Sequence, residues 1–149
     1  MRELKRKGRA AKTRKGTPPS RAKVAAKKQR EDDPSRLLAR RVAEVASDHK
    51  ALDIEVLDLR TLTSFTDYFI VMSGASDRQV AAIADAIHLG LKEAGHVPLS
   101  EEGFRGGHWA LIDYGDVVVH VFYSATREHY QLEKLWFDAP RVAFKGINA

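Results

Sequence analysis

The stretch His108-Trp109-Ala110-Leu111-Ile112-Asp113-Tyr114-Gly115-Asp116-Val117-Val118-Val119-His120-Val121-Phe122-Tyr123 holds two apolar runs, rich in β-branched and aromatic residues, around a short polar break. Apolar runs of this kind on either side of a glycine-containing break read as a β-hairpin. Glycine accepts positive φ without a Cβ clash, and aspartate bonds nearby backbone, so Asp-Tyr-Gly-Asp suits the turn. The most economical register pairs Asp113 with Asp116, which sets Trp109 opposite His120 and Leu111 opposite Val118. Ala110, Ile112, Val117, Val119 and Val121 then form the core face, with Trp109 and Leu111 on the other. A slip of one residue would exchange the two faces.

Upstream of the hairpin, Ser76 and Gln79 form a capping box, Ser76 accepting from the Gln79 amide and Gln79 reaching back to Ser76. The helix it opens runs to about Ala94. Val80, Ile83, Ala84, Ile87 and Leu91 are its buried stripe, and Gly95 supplies a left-handed cap. Before it, Asp67–Ser73 is almost continuously apolar, the pattern of a strand covered on both faces and so the centre of the sheet. Asp53–Leu59 alternates as a first strand. Asp33-Pro34 is an N-cap followed by proline at the first helical position. The helix it starts ends before Leu52, with Leu37, Leu38, Arg41, Val42, Val45 and Ala46 inward and Arg36, Arg40, Glu44 and Asp48 outward. Between the second helix and the hairpin, Val97-Pro98-Leu99 suits a short edge strand and Glu101–Gly107 a mobile loop.

Downstream, Ser124 or Thr126 caps a last helix through about Trp136, with a His129/Glu133 i,i+4 pair. From Phe137 onward the chain reads as irregular. The whole order predicts an α/β (by a stricter label α+β) fold, a single mixed β-sheet flanked by helices.

Composition divides the chain further. The 149 residues carry a net charge of +5, but residues 1–30 hold 13 Lys/Arg and one acid, whereas residues 31–149 hold 12 Lys/Arg and 19 acids. The basicity therefore belongs to an appendage and the foldable part is acidic. Residues 1–33 read as a basic disordered extension, 34–140 as the folded domain and 141–149 as a C-terminal tail, since the extension has too little apolar surface to offset its chain entropy. Lys5, Arg6, Lys7, Arg9, Lys12, Arg14, Lys15, Lys27 and Lys28 suit salt-sensitive, sequence-independent contact with RNA or DNA by counterion release. The same composition also suits a tail that only aids solubility. A transit peptide is disfavoured by the abundance of lysine and by Ser20 being the segment's only serine. With no cysteine, no signal-like apolar run and no membrane-length run, the expected location is cytoplasmic.

Catalytic readings find little support in the motifs. Ser73-Gly74-Ala75-Ser76 stands where a phosphate-binding loop would lie, yet it matches neither the Walker pattern nor the dinucleotide fingerprint. Asp113 and Asp116 resemble a carboxylate pair, but acids beside a glycine turn commonly bond backbone. The six histidines lack the spacing of a ligand set. The expectation is no enzyme, no cofactor and no metal. Two alternatives stay open: a nucleotidyltransferase-like enzyme, and a general RNA-binding module driven by the tail.

Four blocks in order, Ser64–Phe69, Ser73–Val80, Trp109–Phe122 and Tyr130–Trp136, together resemble the ribosomal silencing factor (Iojap-related) family. The resemblance implies a nucleotidyltransferase-like topology, though Gly74-Ala75 departs from the Gly-Ser pair of such enzymes and no Asp-x-Asp follows the helix. It further implies binding to the large ribosomal subunit through a ribosomal protein of the intersubunit face, steric exclusion of the small subunit, repression of translation and a role in large-subunit maturation. A homodimer is compatible with it. The resemblance places Trp109 on the binding surface, where Leu111 would share its face; plain core packing is the alternative role for Trp109. Glu101, Glu102, Asp113 and Asp116 suit pairing with basic groups of a ribosomal protein, and Tyr130 is a further candidate. Contact of the basic tail with ribosomal RNA would fit the charge division.

Overall fold

The computed structural model describes residues 33–148; the expectation of a disordered extension falls, apart from Asp33, outside them. The elements are α1 (Pro34–Asp48), β1 (Leu52–Asp58), β2 (Tyr68–Gly74), α2 (Asp77–Glu93), β3 (Ser100–Glu102), β4 (Trp109–Asp113), β5 (Val117–Tyr123), α3 (Ser124–Tyr130), α4 (Leu132–Leu135) and β6 (Arg141–Val142). The strands form one six-stranded mixed sheet in the order β3-β4-β5-β2-β1-β6. Only β2 and β5 pair in parallel; the other neighbours are antiparallel. The α+β expectation of one mixed sheet with helices is the observed fold. Continuous hydrophobicity also located the centre, because every residue of β2 is buried.

The hairpin register differs from the expected one. Asp113 faces Val118, Leu111 faces His120 and Trp109 faces Phe122. The Tyr114 amide donates to the Val117 carbonyl at 2.9 Å, so the loop is Gly115-Asp116 alone, with Gly115 at φ 95°. Glycine at the first central position of a two-residue loop gives a turn whose twist suits the strands. The offset is two residues rather than one, so the faces survive. Ala110, Ile112, Val117, Val119 and Val121 are fully buried in the main core.

That core lies between the sheet and the pair α1 and α2, and it includes Leu38, Val42, Ile70, Met72, Ile83 and Ile87. Asp33 caps α1 by accepting from the Ser35 amide at 3.2 Å. The buried stripe of α1 is rotated from the expected one: Ala39 and Ala43 turn inward, while Leu37 is 47% exposed and Arg41 is exposed. Alanines let the helix approach its neighbours closely, as does Gly90 of α2, where a Cβ would lie 3.0 Å from Val45 Cγ2. In the capping box Ser76 Oγ accepts from the Gln79 amide at 3.1 Å, but Gln79 Oε1 takes the Ala75 amide rather than that of Ser76.

Three charges at one end of the sheet form a second, polar node. Arg60 donates to both oxygens of Asp58 at 3.0 and 2.8 Å and to Asp33 at 3.3 Å, all buried. Burial opposes the Arg60 charge, but the bond to Asp58 and the neighbouring Tyr68 and acids outweigh it and hold its pKa above the ordinary value. This node ties the start of α1 to the end of β1. Two other expectations shift as well. The edge strand is Ser100–Glu102 rather than Val97–Leu99, which removes Glu101 and Glu102 from the expected loop. Arg141–Val142, expected to be irregular, pairs with β1, and Phe144 enters the main core.

Candidate functional site

Facing residues of neighbouring strands share a face, so the register arranges the second face of the sheet in rows. One row runs Glu102, Leu111, His120, Val71, Glu55, and the next Ser100, Asp113, Val118, Phe69, Leu57. Beyond them Trp109 faces Phe122. A second, smaller cluster grows on this face from Leu57, Leu59, Phe69, Val71, Val118, Phe122 and Ala139, with Trp109, Leu111, Leu132 and Trp136 packed at its border. The sheet is thus covered fully by helices on one side and only partly, by the C-terminal segment, on the other.

How that segment lies follows from a break. Gln131, at φ 46° and ψ 51°, is left-handed and ends α3 after Tyr130, so the helix does not continue to Trp136. The expected His129/Glu133 pair is consequently not the one made. The Glu133 carboxylate accepts from Arg127 Nε at 2.7 Å, and Arg127 Nη1 donates to the Asp53 carbonyl at 2.8 Å and Ser73 Oγ at 2.9 Å. No side chain caps α3, which leaves β5 directly from Tyr123 instead of starting at a Ser124 or Thr126 cap. Arg141 fastens the other end, with Nε on Glu55 at 2.8 Å and Nη1 on the Ala139 carbonyl at 2.8 Å. Between these clasps Trp136 sets its edge against Phe69, centroids 6.0 Å apart.

Trp109 stands at the margin of the covered region and is half-buried. Its Nε1 donates to His120 Nδ1 at 3.1 Å. Indole N–H is only a donor, so the bond fixes His120 as the neutral tautomer with Nδ1 accepting. The indole also packs on Phe122 at 4.7 Å and Tyr130 at 4.9 Å. These contacts orient the ring without enclosing it. Tyr130, which packs on the indole, is 53% exposed, and on the C-terminal segment Leu135 is 72% and Phe137 80% exposed. Exposed aromatic area held rigidly on a sheet is the kind of surface that anchors a protein partner.

The structure brings Trp109, Leu111 and Tyr130 onto this surface with Glu102 beside Leu111 at its edge. It does not bring the other acids there. Glu101 faces Ile112 and so turns to the helix side, where its carboxylate meets His88 Nδ1 of α2. Asp113 is buried, and its Oδ1 accepts from the Gly115 amide at 2.8 Å, the turn role. Asp116 is exposed at the hairpin tip, away from Trp109. The Tyr114 phenol beside that turn is raised well above its ordinary pKa, first by burial and then by the charge of Glu101. Lys5, Arg6, Lys7, Arg9, Lys12, Arg14, Lys15, Lys27 and Lys28 lie outside the described residues. Sequence reasoning missed the role of His120, whose Nδ1 orients Trp109.

A cleft of about 680 Å³ opens at the C-terminal ends of β2 and β5, lined by Asp53, Ser73, Ala75, Arg127, Glu128 and Gln131 among others. Its chemistry is largely spoken for. Arg127 is engaged by Glu133, Asp53 and Ser73, and the Ala75 and Gln79 amides of the turn are taken by Gln79 and Ser76. Among the described residues no cluster of three or more His, Asp or Glu is arranged to hold a metal ion.

Residues 31–149 match the family model described as ribosomal silencing factor during starvation, RsfS. The chain belongs to the RsfS family. It is 46% identical over 98 residues to the ribosomal silencing factor RsfS of Bacillus subtilis, covering 66% of this chain and 83% of that one. It is 35% identical over 91 residues to the mouse protein named mitochondrial assembly of ribosomal large subunit protein 1, covering 58% of this chain and 39% of that one. Among solved structures, an X-ray structure of a Chromobacterium violaceum protein superposes with a TM-score of 0.67 at 40% identity, covering 73% of this chain and 90% of that one. The match to the RsfS model includes both the hairpin and the C-terminal segment that borders Trp109.

Proposed function

We propose that this protein docks on the large ribosomal subunit through the Trp109 surface, against a basic ribosomal protein of the intersubunit face, and thereby keeps the small subunit from joining. The single observation that carries the reading is the half-buried Trp109, oriented by His120 and flanked by exposed Tyr130. Membership of the RsfS family supports a silencing role. The name of the mouse relative supports the choice of the large subunit, and with it a part in large-subunit maturation. Acidic Glu102, beside Leu111 at the edge of the apolar patch, suits a basic partner by charge complementarity. Steric exclusion requires only a stable contact where another surface must seat, so no transition state has to be stabilised.

The test mixes purified large and small subunits with the protein and follows joining by light scattering. Wild-type protein lowers the extent of joining. Trp109→Glu, checked for folding by circular dichroism, loses the effect, because a central aromatic anchor contributes at least about 2 kcal/mol, or more than tenfold in affinity. Undiminished inhibition by the folded variant would refute the site, and no inhibition by wild type would refute the function.

A further inference from the structure

The cleft at the carboxyl ends of β2 and β5 lies where the path of the chain divides. These strands are the parallel pair of the sheet, and their continuations leave for opposite faces. From β2 the chain enters α2, whose Val80, Ile83 and Ile87 join the main core. From β5 it enters α3 and the C-terminal segment, whose Leu132 and Trp136 border the second cluster. Adjacent parallel strands with diverging connections leave a crevice at their carboxyl ends, and there open sheets bind small ligands. Its volume of about 680 Å³ is in the range of small-molecule sites. The backbone around it is also unusual. Among the described residues four other than glycine are left-handed, Lys50, Asp53, Gln131 and Asn148. Asp53 and Gln131 line the cleft. The Lys50 carbonyl accepts from the same Gln79 side chain that takes the Ala75 amide at the cleft wall, and Asn148 bonds Ile54, next to Asp53. Backbone of this kind concentrates at ligand clamps, where the surrounding structure holds it in place.

Within the cleft the largely buried Arg127 and Glu133 are committed to each other, but three charged groups beside them are not. Among the described residues no hydrogen bond or ion pair engages the carboxylates of Asp53 and Glu128 or the ammonium of Lys134, and all three line the cleft. Arg127 gathers them. Its Nη1 bonds the Asp53 carbonyl, Glu128 follows it in α3, and its partner Glu133 precedes Lys134. We infer that this cleft is a binding site for a small zwitterion, a free α-amino acid or a short peptide. The ligand's ammonium meets Asp53 and Glu128, and its carboxylate meets Lys134. Hydrogen bonds assisted by charge at both ends of a ligand are strong and fix its direction. The lining also argues against other charge types. Three carboxylates stand against two cationic groups, which opposes a polyanion such as a nucleotide, whereas a polyamine would bring like charge to Lys134. A free amino acid and the termini of a peptide share one chemistry, and the test below separates them.

The experiment titrates the full chain by isothermal calorimetry with each free amino acid, with trialanine, and with trialanine blocked by acetyl and methylamide groups. Saturable binding is expected for trialanine or for at least one amino acid, and whichever binds more tightly identifies the source. The blocked peptide should not bind. Asp53→Asn/Glu128→Gln and, separately, Lys134→Gln should each weaken binding at least about tenfold, because each removes a charged hydrogen-bond partner. Asparagine accepts the left-handed backbone of position 53, and the three side chains replaced are exposed, so both variants should melt as wild type does. Trp109→Glu should bind as wild type does, which separates this cleft from the docking surface. Absence of saturation by every unblocked probe up to about 10 mM, tenfold beyond a millimolar Kd, would overturn the inference. So would equal binding of the blocked peptide, unchanged affinity in either variant, or tighter binding of spermidine or ATP than of any zwitterion.

Discussion

The hydrogen bond between Trp109 and His120 makes the most exacting prediction. Trp109→Phe keeps an aromatic ring against Phe122 and Tyr130 but removes the Nε1–H that donates to His120 Nδ1 at 3.1 Å. The lost bond is worth about 1 kcal/mol, and leaving a buried acceptor without its donor adds about 1 kcal/mol more. His120, 1% exposed, is such an acceptor. Trp109→Phe should therefore cost about 2 kcal/mol, which moves a urea midpoint by roughly 1 M for a domain with a slope near 2 kcal/mol per M. His120→Leu removes the acceptor and should also destabilise, through the same bond and through its edge contact with Phe69 at 4.7 Å. The double variant leaves neither polar partner stranded, so the two losses should fall short of adding by about 1 to 2 kcal/mol. Equilibrium urea unfolding of the four proteins, followed by circular dichroism, measures this coupling. Additivity within about 0.3 kcal/mol would refute the bond as the element that orients Trp109.

Other outcomes follow from the polar node, the tyrosines and one glycine. Arg60→Met strands the carboxylates of Asp58 and Asp33 in the interior and should cost about 3 to 5 kcal/mol in urea unfolding; a loss below 1 kcal/mol would show the node to be dispensable. The Tyr68 and Tyr114 phenols are both raised by burial above their ordinary value near 10. Stability that is fully present below that value is then lost as pH climbs through and beyond it, so urea midpoints should fall between pH 10 and 12. Tyr114→Phe should reduce that fall, and near pH 7 it should leave stability within about 1 kcal/mol of wild type, because the buried hydroxyl has no hydrogen-bond partner among the described residues. Gly107→Ala should destabilise by at least about 1 kcal/mol by thermal melting, as a Cβ there would lie 2.7 Å from that of Asp77 in a backbone with φ 73°.

Much of the fold was legible because it depends on periodicity. The apolar runs Trp109–Asp113 and Val117–Tyr123 around a glycine turn gave the hairpin, and continuous hydrophobicity through Tyr68–Gly74 marked the centre of the sheet. Offset was less legible than parity. Pattern distinguishes one face from the other, but a slip of two residues leaves the pattern unchanged, and only the closure of Gly115-Asp116 into a two-residue loop decides it. The break at Gln131 was invisible because glutamine is an ordinary helix former; its left-handed backbone lies between the Arg127 and Arg141 clasps, which only the folded chain brings together. Arg141–Val142 is a strand through pairing with β1 rather than through any preference of two residues. The candidate surface divides in the same way. Trp109 and Leu111 followed from alternation, whereas their meeting with Tyr130 depends on where a distant segment is pinned.

Arg141, on β6, reaches back 86 residues to Glu55, on β1. Strand β2 covers one flank of β1 soon after β1 is made, but the other flank waits for that long interval of chain to be synthesised and folded. During that wait β1 presents a row of unpaired backbone groups, the template on which chains aggregate or swap strands. The two residues of β6, with the Pro140 carbonyl on the Asp58 amide and the Asn148 amide on Ile54, are short cover, so the arginine that holds β6 in place also acts as a guard on the open edge. A chain that loses Arg141 should therefore betray itself less by weaker ribosome binding than by a larger aggregated fraction during expression.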